Sequence, residues 1–317
     1  MNRTKRTQTS QFTVKLLREG IVESCHQVQA IVCDEKGRIL SLAGDPESAF
    51  FVRSALKPFQ ALAVTSTGTM ERFGLTDKDL AIMCSSHSGA IEQARQAFNI
   101  LWRCNVDPAL LKCPIPQGKQ SALQYNCSGK HAGMLAVSQQ RNWSLNTYSH
   151  RDHPVQKLIL EQMAELLGMP PDEFIVAHDD CGVPTYMLQL RQLASLYAQL
   201  ASGNNLGMER IIRAMTQHPT MISGAGRFDT EVMRHADGEL VSKSGAEGVQ
   251  CIARVGYGLG IAIKVMDGAK RAKHAVAIHL MKQLGWLSPA MTEAWEEQFI
   301  SLGSFTRLDV AGDLVMV

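Results

Sequence analysis

An α+β fold is predicted for this chain: an antiparallel sheet built from both chain ends, helices packed on it in three layers, and a helical region inserted between. Three observations predict it. β runs gather near the start and again after residue 238. Segments of helical period fill the middle. No Pro/Ser-rich linker and no internal repeat divides the 317 residues. The sequence therefore reads as a flexible arm over 1–10 and a single catalytic domain over 11–317, with sheet regions at 11–52 and 238–317 and a helical region at 53–237.

Residues 28–42 read as two β runs joined by Asp34-Glu-Lys-Gly37, where the glycine suits a tight hairpin. After them, Pro58 falls in the first turn of a helix, where its missing N–H costs little. Phe59, Leu62 and Ala63 form the i, i+3, i+4 stripe of that helix. Thr76-Asp-Lys-Asp79 resembles a capping box and predicts a second helix start. Further helices are expected over 90–102, 154–167, 185–201, 208–215 and 270–284. Late β runs are expected over 239–242 and 252–255. An apolar strand follows the Gly-rich segment from Gly256 and carries Lys264.

Composition narrows the function. The chain has 32 Lys plus Arg against 30 Asp plus Glu, a net charge of +2, with 45% apolar and 20% charged residues. This is an ordinary globular composition. It supplies no basic field for nucleic acid. No uncharged apolar run approaches the ~18 residues that span a bilayer. The first ten residues are basic and polar with no apolar stretch behind them, so a cytoplasmic location is expected. The eight cysteines are then free thiols or ligands.

Ser54-Ala-Leu-Lys57 is the sharpest chemical signal. Residues three apart share a helix face, so the lysine can take the serine proton while the oxygen attacks a carbonyl. Only a neutral lysine does this. At its reference pKa of ~10.4, about one lysine in a few thousand is neutral at pH 7. Burial or a second cation must lower it. Phe51, Val52, Leu56 and Phe59 are the expected apolar wall, and Lys264 the expected second cation. S-x-x-K alone arises by chance in a chain this long. Lys243-Ser-Gly245 on a late β run raises its weight, because serine β-lactamases combine S-x-x-K with K-T-G. Their S-D-N element is absent.

The remaining motifs are weaker alone. Met83-Cys-Ser-Ser-His-Ser-Gly89 offers Ser86 as a second nucleophile, or else is a polar helix-to-loop junction. Asn126-Cys-Ser-Gly-Lys-His-Ala-Gly133 fails as a phosphate loop, since His131 stands in the Ser/Thr place. Its small residues suit close approach to a ligand. In His178-Asp-Asp-Cys-Gly-Val-Pro184, Asp179 or Asp180 is placed to orient a base. Cys181 is either a metal ligand or a buried thiol. His150-Arg-Asp-His153 reads as surface loop.

Together, Arg53–Gln60, Cys84–Gly89, Asn126–Met134, Asp179–Pro184, Lys243–Gly248 and Gly260–Lys264 appear in this order. The set resembles the Rhizobium-type L-asparaginases, the asparaginase II family, whose fold is similar to that of serine β-lactamases and glutaminases. The likeness runs from the first hairpin to Gly268. It implies hydrolysis of L-asparagine to L-aspartate and ammonia, usually by a homodimer, through two Ser–Lys tandems. By motif match these are Ser54 with Lys57 and Ser86 with Lys264, with Ser85 adjacent to the second serine. It also implies a zinc ion held by Cys127, Lys130 and Cys181, with Asp179 or its rival Asp180 beside it. Arg53, His87, Asn126, His131, Asp179, Asp180 and Gly245 are the candidates for holding substrate. The alternatives are a glutaminase or β-lactam-type amide hydrolase, and a non-catalytic amino-acid-binding protein of the same fold.

Overall fold

The centre of the sheet is set by one long apolar strand. The structure, a computed structural model, describes residues 9–317, so most of the arm expected over 1–10 lies outside the described residues. Strand β1 (Phe12–Arg18) pairs with the first half of β2 (Ile21–Asp34), and β3 (Ile39–Ala43) pairs with its second half. The turn between β2 and β3 is the one the sequence predicts. Asp34 Oδ1 accepts from the Lys36 and Arg38 amides at 3.0 and 2.9 Å, and Gly37 takes φ 76°.

The middle of the chain is β4 (Ala49–Phe51), a 3-10 turn over Arg53–Leu56, then α1 (Lys57–Gln60), α2 (Leu62–Ser66), α3 (Thr69–Phe73), α4 (Asp77–Met83), α5 (Ile91–Arg103), α6 (Ser128–Gln140) and α7 (Pro154–Leu167). Next come β5 (Ile175–His178), β6 (Pro184–Gln189), α8 (Leu190–Leu200), α9 (Leu206–Gln217), α10 (Pro219–Ile222) and α11 (Phe228–His235). The chain then returns to the sheet with β7 (Leu240–Ser244), β8 (Val249–Arg254) and β9 (Leu259–Val265). It closes with α12 (Lys270–Gln283), α13 (Pro289–Trp295), β10 (Ser301–Gly303), β11 (Thr306–Ala311) and β12 (Val315–Met316).

The main sheet runs β10-β11-β1-β2-β9-β8-β7, with β3 and β12 extending it beside β2, and every pairing is antiparallel. A small sheet, β4-β6-β5, lies apart. The alternation of β-strand side chains sorts the core into two layers. Val28, Ala30, Val32, Ile261, Ile263 and Val265 face α12 and α11. Ile31, Cys33, Val249, Cys251, Ala253 and Ala262 face the helical region. This is the three-layer arrangement the sequence predicts. Among the described residues no helix is long and apolar enough to cross a membrane.

Two glycines allow the layers to close. A Cβ on Gly260 would stand 2.3 Å from Ala194 O and from Ala198 N, so only glycine lets α8 lie against β9. A Cβ on Gly129 would stand 2.0 Å from Ile82 O, so only glycine lets α6 touch the end of α4.

The predicted capping box is present: Thr76 Oγ1 accepts from the Asp79 amide, and Asp79 Oδ2 accepts from the Thr76 amide at 2.7 Å. Two expectations need correction, and one helix goes beyond them. The helix expected over 185–201 starts at Leu190, because Pro184–Gln189 is held as a strand between β4 and β5. The segment at 126–133 belongs largely to helix α6, buried from Ser128 to Ser138. With no polar face it has no amphipathic period to read. His153, expected on a surface loop, is buried and caps α7 by accepting from the Val155 amide at 3.2 Å.

Candidate active site

The contact allowed by Gly129 brings the ends of α1, α4 and α6 together, and β7 approaches from the sheet. Lys57 sits at the start of α1 with no exposed surface. Its Nζ donates to Ser85 O at 2.5 Å and Asn126 O at 3.1 Å, and lies 3.1 Å from Ser86 Oγ. Both carbonyls can only accept. The charged amine gives one N–H to each carbonyl and the third to Ser86 Oγ, and loss of one proton frees a lone pair.

A second buried lysine meets the same oxygen. Lys243 Nζ is 2.8 Å from Ser86 Oγ and 2.7 Å from Ser244 O. Sequence reasoning gave this role to Lys264, and the structure corrects it. Lys264 Nζ donates to Glu247 O and Val265 O, and lies 5.7 Å from the Phe50 ring. It stands on β9, two strands from β7, about 10 Å away. Strand parity alone does not separate the two lysines, because Lys264 follows Ala262 on the face that packs on the helical region, and the sheet order does. Val241 packs in the core layer facing the helical region, and Lys243 is two residues further on the same side.

The adjacent serines separate cleanly. Ser85 Oγ turns back to donate to Ile82 O at 2.7 Å, whereas the Ser86 amide donates to Ile222 O at 2.8 Å and aims its side chain at the lysines. Ser54 is half-buried, and its hydroxyl has no hydrogen-bond partner among the described residues. Just before it, Arg53 holds φ 50°, a left-handed conformation uncommon for a side-chain residue and frequent at functional turns.

Burial pushes the Lys57 amine below its ordinary range, and the nearby Lys130 charge adds to this against the Cys127 and Cys181 sulfurs. Burial likewise pushes Lys243 down to about 7, with Asp229 opposing and Lys57 and Lys273 assisting. Asp229 itself is buried. Burial raises its carboxyl, but Lys243, Gln250, Lys273 and Ser242 outweigh that and hold it below the usual carboxylate range.

Ser54, Ser86, His87, Asn126 and Gly245 line one cavity of about 680 Å³. His87 accepts from the Gly89 amide through Nδ1 at 3.1 Å and pairs Nε2 with Ser128 Oγ at 2.9 Å. Burial pushes it to about 3, so the ring is neutral. The other substrate-binding candidates stand outside this wall. Arg53 is held by Asp179 and Asp180, each at 2.5 Å. His131 is buried against the Tyr148 hydroxyl at 2.7 Å, and its Nε2 has no partner among the described residues.

Behind Asn126 lies a thiol cluster. Cys127 Sγ, Cys181 Sγ and an Asp179 oxygen lie within 4.8 Å of one another, all buried. Lys130 Nζ is 3.2 Å from Cys181 Sγ and 3.7 Å from Asp179 Oδ2. Two sulfurs and one carboxylate oxygen are donor types that suit zinc, with the Lys130 amine beside them. Cys127 is held well below its usual value by the Cys181 thiol, so the pair shares one proton. Cys251 lies elsewhere, beside Tyr197 and Lys243. All eight cysteines are free thiols.

Residues 14–316 match the family model of L-asparaginase II. No curated protein matches the chain. Among solved structures, it is similar to Mglu in its tris and glutamate form, at 18% identity over 81% of this chain and 59% of that one, with a TM-score of 0.49. A second Mglu structure gives 15% identity, 89% and 72% coverage, and 0.48. A β-lactamase from Mycobacterium bovis gives 12% identity, 86% and 95% coverage, and 0.38. The chain thus spans about three fifths of the length of the first of these.

Proposed function

Because the chain belongs to the L-asparaginase II family, we propose that it hydrolyses the side-chain carboxamide of L-asparagine to L-aspartate and ammonia through a Ser–Lys acyl-enzyme. The observation that carries this reading is Ser86 Oγ lying between Lys57 Nζ and Lys243 Nζ in the cavity that Ser54 lines.

The roles follow from hydrogen-bond capacity. Ser86 Oγ accepts from two lysines, which leaves its own proton to give. The lone pairs of Ser54 Oγ are unengaged, so Ser54 is the nucleophile. Neutral Lys57 takes its proton as Oγ bonds to the carboxamide carbon. The two groups need only close on each other once substrate is bound, as catalytic contacts commonly do. The Ser54 amide, in the first turn after Val52, has no intrahelical acceptor and stabilises the oxyanion. As the C–N bond breaks, Ser86 passes a proton to the leaving nitrogen and is resupplied by Lys57 or Lys243. Water then adds to the ester carbon, a lysine takes its proton, and aspartate leaves as Ser54 recovers its hydrogen.

The same proposal assigns a zinc ion to Cys127, Lys130 and Cys181, with Asp179 as the neighbouring carboxylate. When bound, zinc supplies a fixed positive charge that keeps a ligating lysine neutral and the thiols ionised. The chain's own groups perform every proton transfer above, and the zinc ligands hold the start of α6 against the turn between β5 and β6. A homodimer and a cytoplasmic location belong to the same reading, and sedimentation of the intact chain tests the first.

Ammonia release from L-asparagine, L-glutamine and a chromogenic β-lactam, measured in parallel, tests the function. Turnover of asparagine that collapses in both Ser54→Ala and Ser86→Ala is expected. Full activity in Ser54→Ala would overturn the nucleophile, and turnover of glutamine alone would overturn the substrate.

A further inference from the structure

Asp229 is the single acid among the described residues that line the active-site cavity, beside Ser54, Ser86, Arg227, Lys270 and Lys273. It is only 2% exposed. A carboxylate buried that deeply must be matched by donors and by positive charge. Its two oxygens are matched unequally. Oδ1 receives Ser242 Oγ at 2.8 Å, Gln250 Nε2 at 3.0 Å and Ser244 Oγ at 3.2 Å. Oδ2 receives the Ser244 amide at 2.8 Å and no other hydrogen bond among the described residues. Each carboxylate oxygen has two lone pairs, so Oδ2 has room for one more donor.

That open place is close to the chemistry. Ser244 O accepts from Lys243 Nζ at 2.7 Å, and Lys243 Nζ lies 2.8 Å from Ser86 Oγ. One residue of β7 backbone thus joins Asp229 Oδ2 to the hydroxyl between the two lysines. In asparagine the α-nitrogen is likewise close to the reacting carbon, with only Cα and Cβ between them. An amino group beside Ser244 faces Asp229 while the carboxamide faces Ser54.

The positive charge already around Asp229 is able to give way. Burial raises the Asp229 carboxyl, and Lys243, Gln250 and Lys273 lower it. Burial pushes the two amines down in turn, Lys243 to about 7 and Lys273 to about 8. Both shed protons near neutral pH, so an arriving ammonium replaces a proton that these lysines can release. The other end of a zwitterion is provided for as well. Arg227 and Lys270 are exposed cations on the same cavity, and a guanidinium matches a carboxylate.

Resting on the amide-hydrolase reading, we infer that Asp229 receives the α-ammonium of the amino acid whose side-chain amide is cut, with Oδ2 as the accepting atom. The site is thereby built for amides of free α-amino acids. The same amide without its α-amino group leaves Oδ2 desolvated with one donor, which weakens its binding.

The test is ammonia release by the intact protein from L-asparagine and from succinamate, which has the same skeleton without the α-amino group. Wild type should favour asparagine in kcat/KM by at least about a hundredfold. In Asp229→Asn that ratio should fall by at least about tenfold. Both substrates use the same lysines and are measured on the same sample. A change at Lys243 or in the folded fraction therefore lowers both rates and leaves their ratio. If Asp229→Asn does not fold, Asp229→Glu, which keeps the charge but displaces it, takes its place with the same readings. An unchanged ratio in the variant overturns the inference and leaves the proposed reaction standing. So does a wild type that turns over both substrates equally. Should neither substrate release ammonia, the proposed reaction fails, and calorimetry with L-aspartate and succinate then judges the subsite. Tighter binding of L-aspartate that is lost in the variant supports it, and equal binding of the two, or a preference kept in the variant, overturns it.

Discussion

Lys243 Nζ lies 2.8 Å from Ser86 Oγ, on the far side of that oxygen's other lysine, Lys57, at 3.1 Å. One hydroxyl thus joins two buried amines that repel each other's charge. At least one is neutral whenever the pair is stable, and the hydroxyl between them can move a proton in either direction. This links β7, at the edge of the main sheet, to the end of α4 in the helical region. The chemistry depends on both chain ends folding onto the middle.

Lys243 works as a proton carrier only while it can lose its proton, which it does at about 7. Activity should therefore rise as pH passes upward through about 7. Lys243→Arg, whose side chain stays charged, should lower kcat by about 10²–10⁴-fold. Lys243→Met should be equally inactive, and it removes this lysine's contribution to the pH dependence of stability. In the unfolded chain this lysine keeps its proton up to about pH 10.4. Between the two values the unfolded chain binds the extra proton, so wild-type stability rises with pH. The stability of Lys243→Met relative to wild type should be highest at pH 6 and fall towards pH 10. Thermal melts of the two proteins across that range check this, and a relative stability that grows with pH would refute it.

Asp229 is the neighbour that holds the Lys243 proton on. The other groups facing this lysine are Lys57 on α1, Lys273 on α12 and the Cys84, Cys127 and Cys251 thiols. Both lysines push the proton off. Asp229→Asn should move the acidic limb of kcat/KM to lower pH. It should also destabilise the fold, because Lys243 and Lys273 lose the buried carboxylate that offsets their charge. Denaturant midpoints and a pH–rate profile measure the two effects separately. An unmoved limb would show that Asp229 does not hold the Lys243 proton.

Much of this arrangement is legible in the sequence, and the gaps have physical reasons. The hairpin around Gly37 and the box at Thr76 are local, so their residues alone determine them. Ser54, Lys57 and Ser86 stand on short motifs that survive folding unchanged. Lys264 was misjudged because both it and Lys243 sit on apolar strands, and only the sheet order decides which strand borders α4. Helix α6 was hidden because burial on every side erases its period. Asp229 gives no signal in the sequence, since its partners Ser242, Ser244 and Gln250 come from β7 and β8.

Gly129 holds the site together by omission. A methyl there would meet Ile82 O at 2.0 Å, and backbone cannot retreat cheaply. Gly129→Ala should push α6 away from α4 and carry Asn126 and Cys127 off the Lys57 amine. In an ordinary helix the same change would stabilise by about 0.5–1 kcal/mol. Here it should lower the melting temperature and reduce kcat together. A stabilised, fully active variant would show that α6 does not position the lysine.

Cys181 is the thiol on which the zinc assignment turns. Lys130, Asp179 and Cys127 all converge on it, within hydrogen-bonding or ion-pairing reach. If the cluster holds zinc, purified wild type should contain about one ion per chain, and Cys181→Ser should contain almost none. The variant should also melt lower, because an ion that binds only the folded chain stabilises it in proportion to its occupancy. Adding a chelator to wild type should reproduce the lower melt without altering the variant. Elemental analysis and paired melts read both outcomes. A Cys181→Ser protein that keeps its zinc would move the metal to other ligands. A wild type whose melt ignores the chelator would leave the four side chains as a buried hydrogen-bonded cluster anchoring α6 to Asp179.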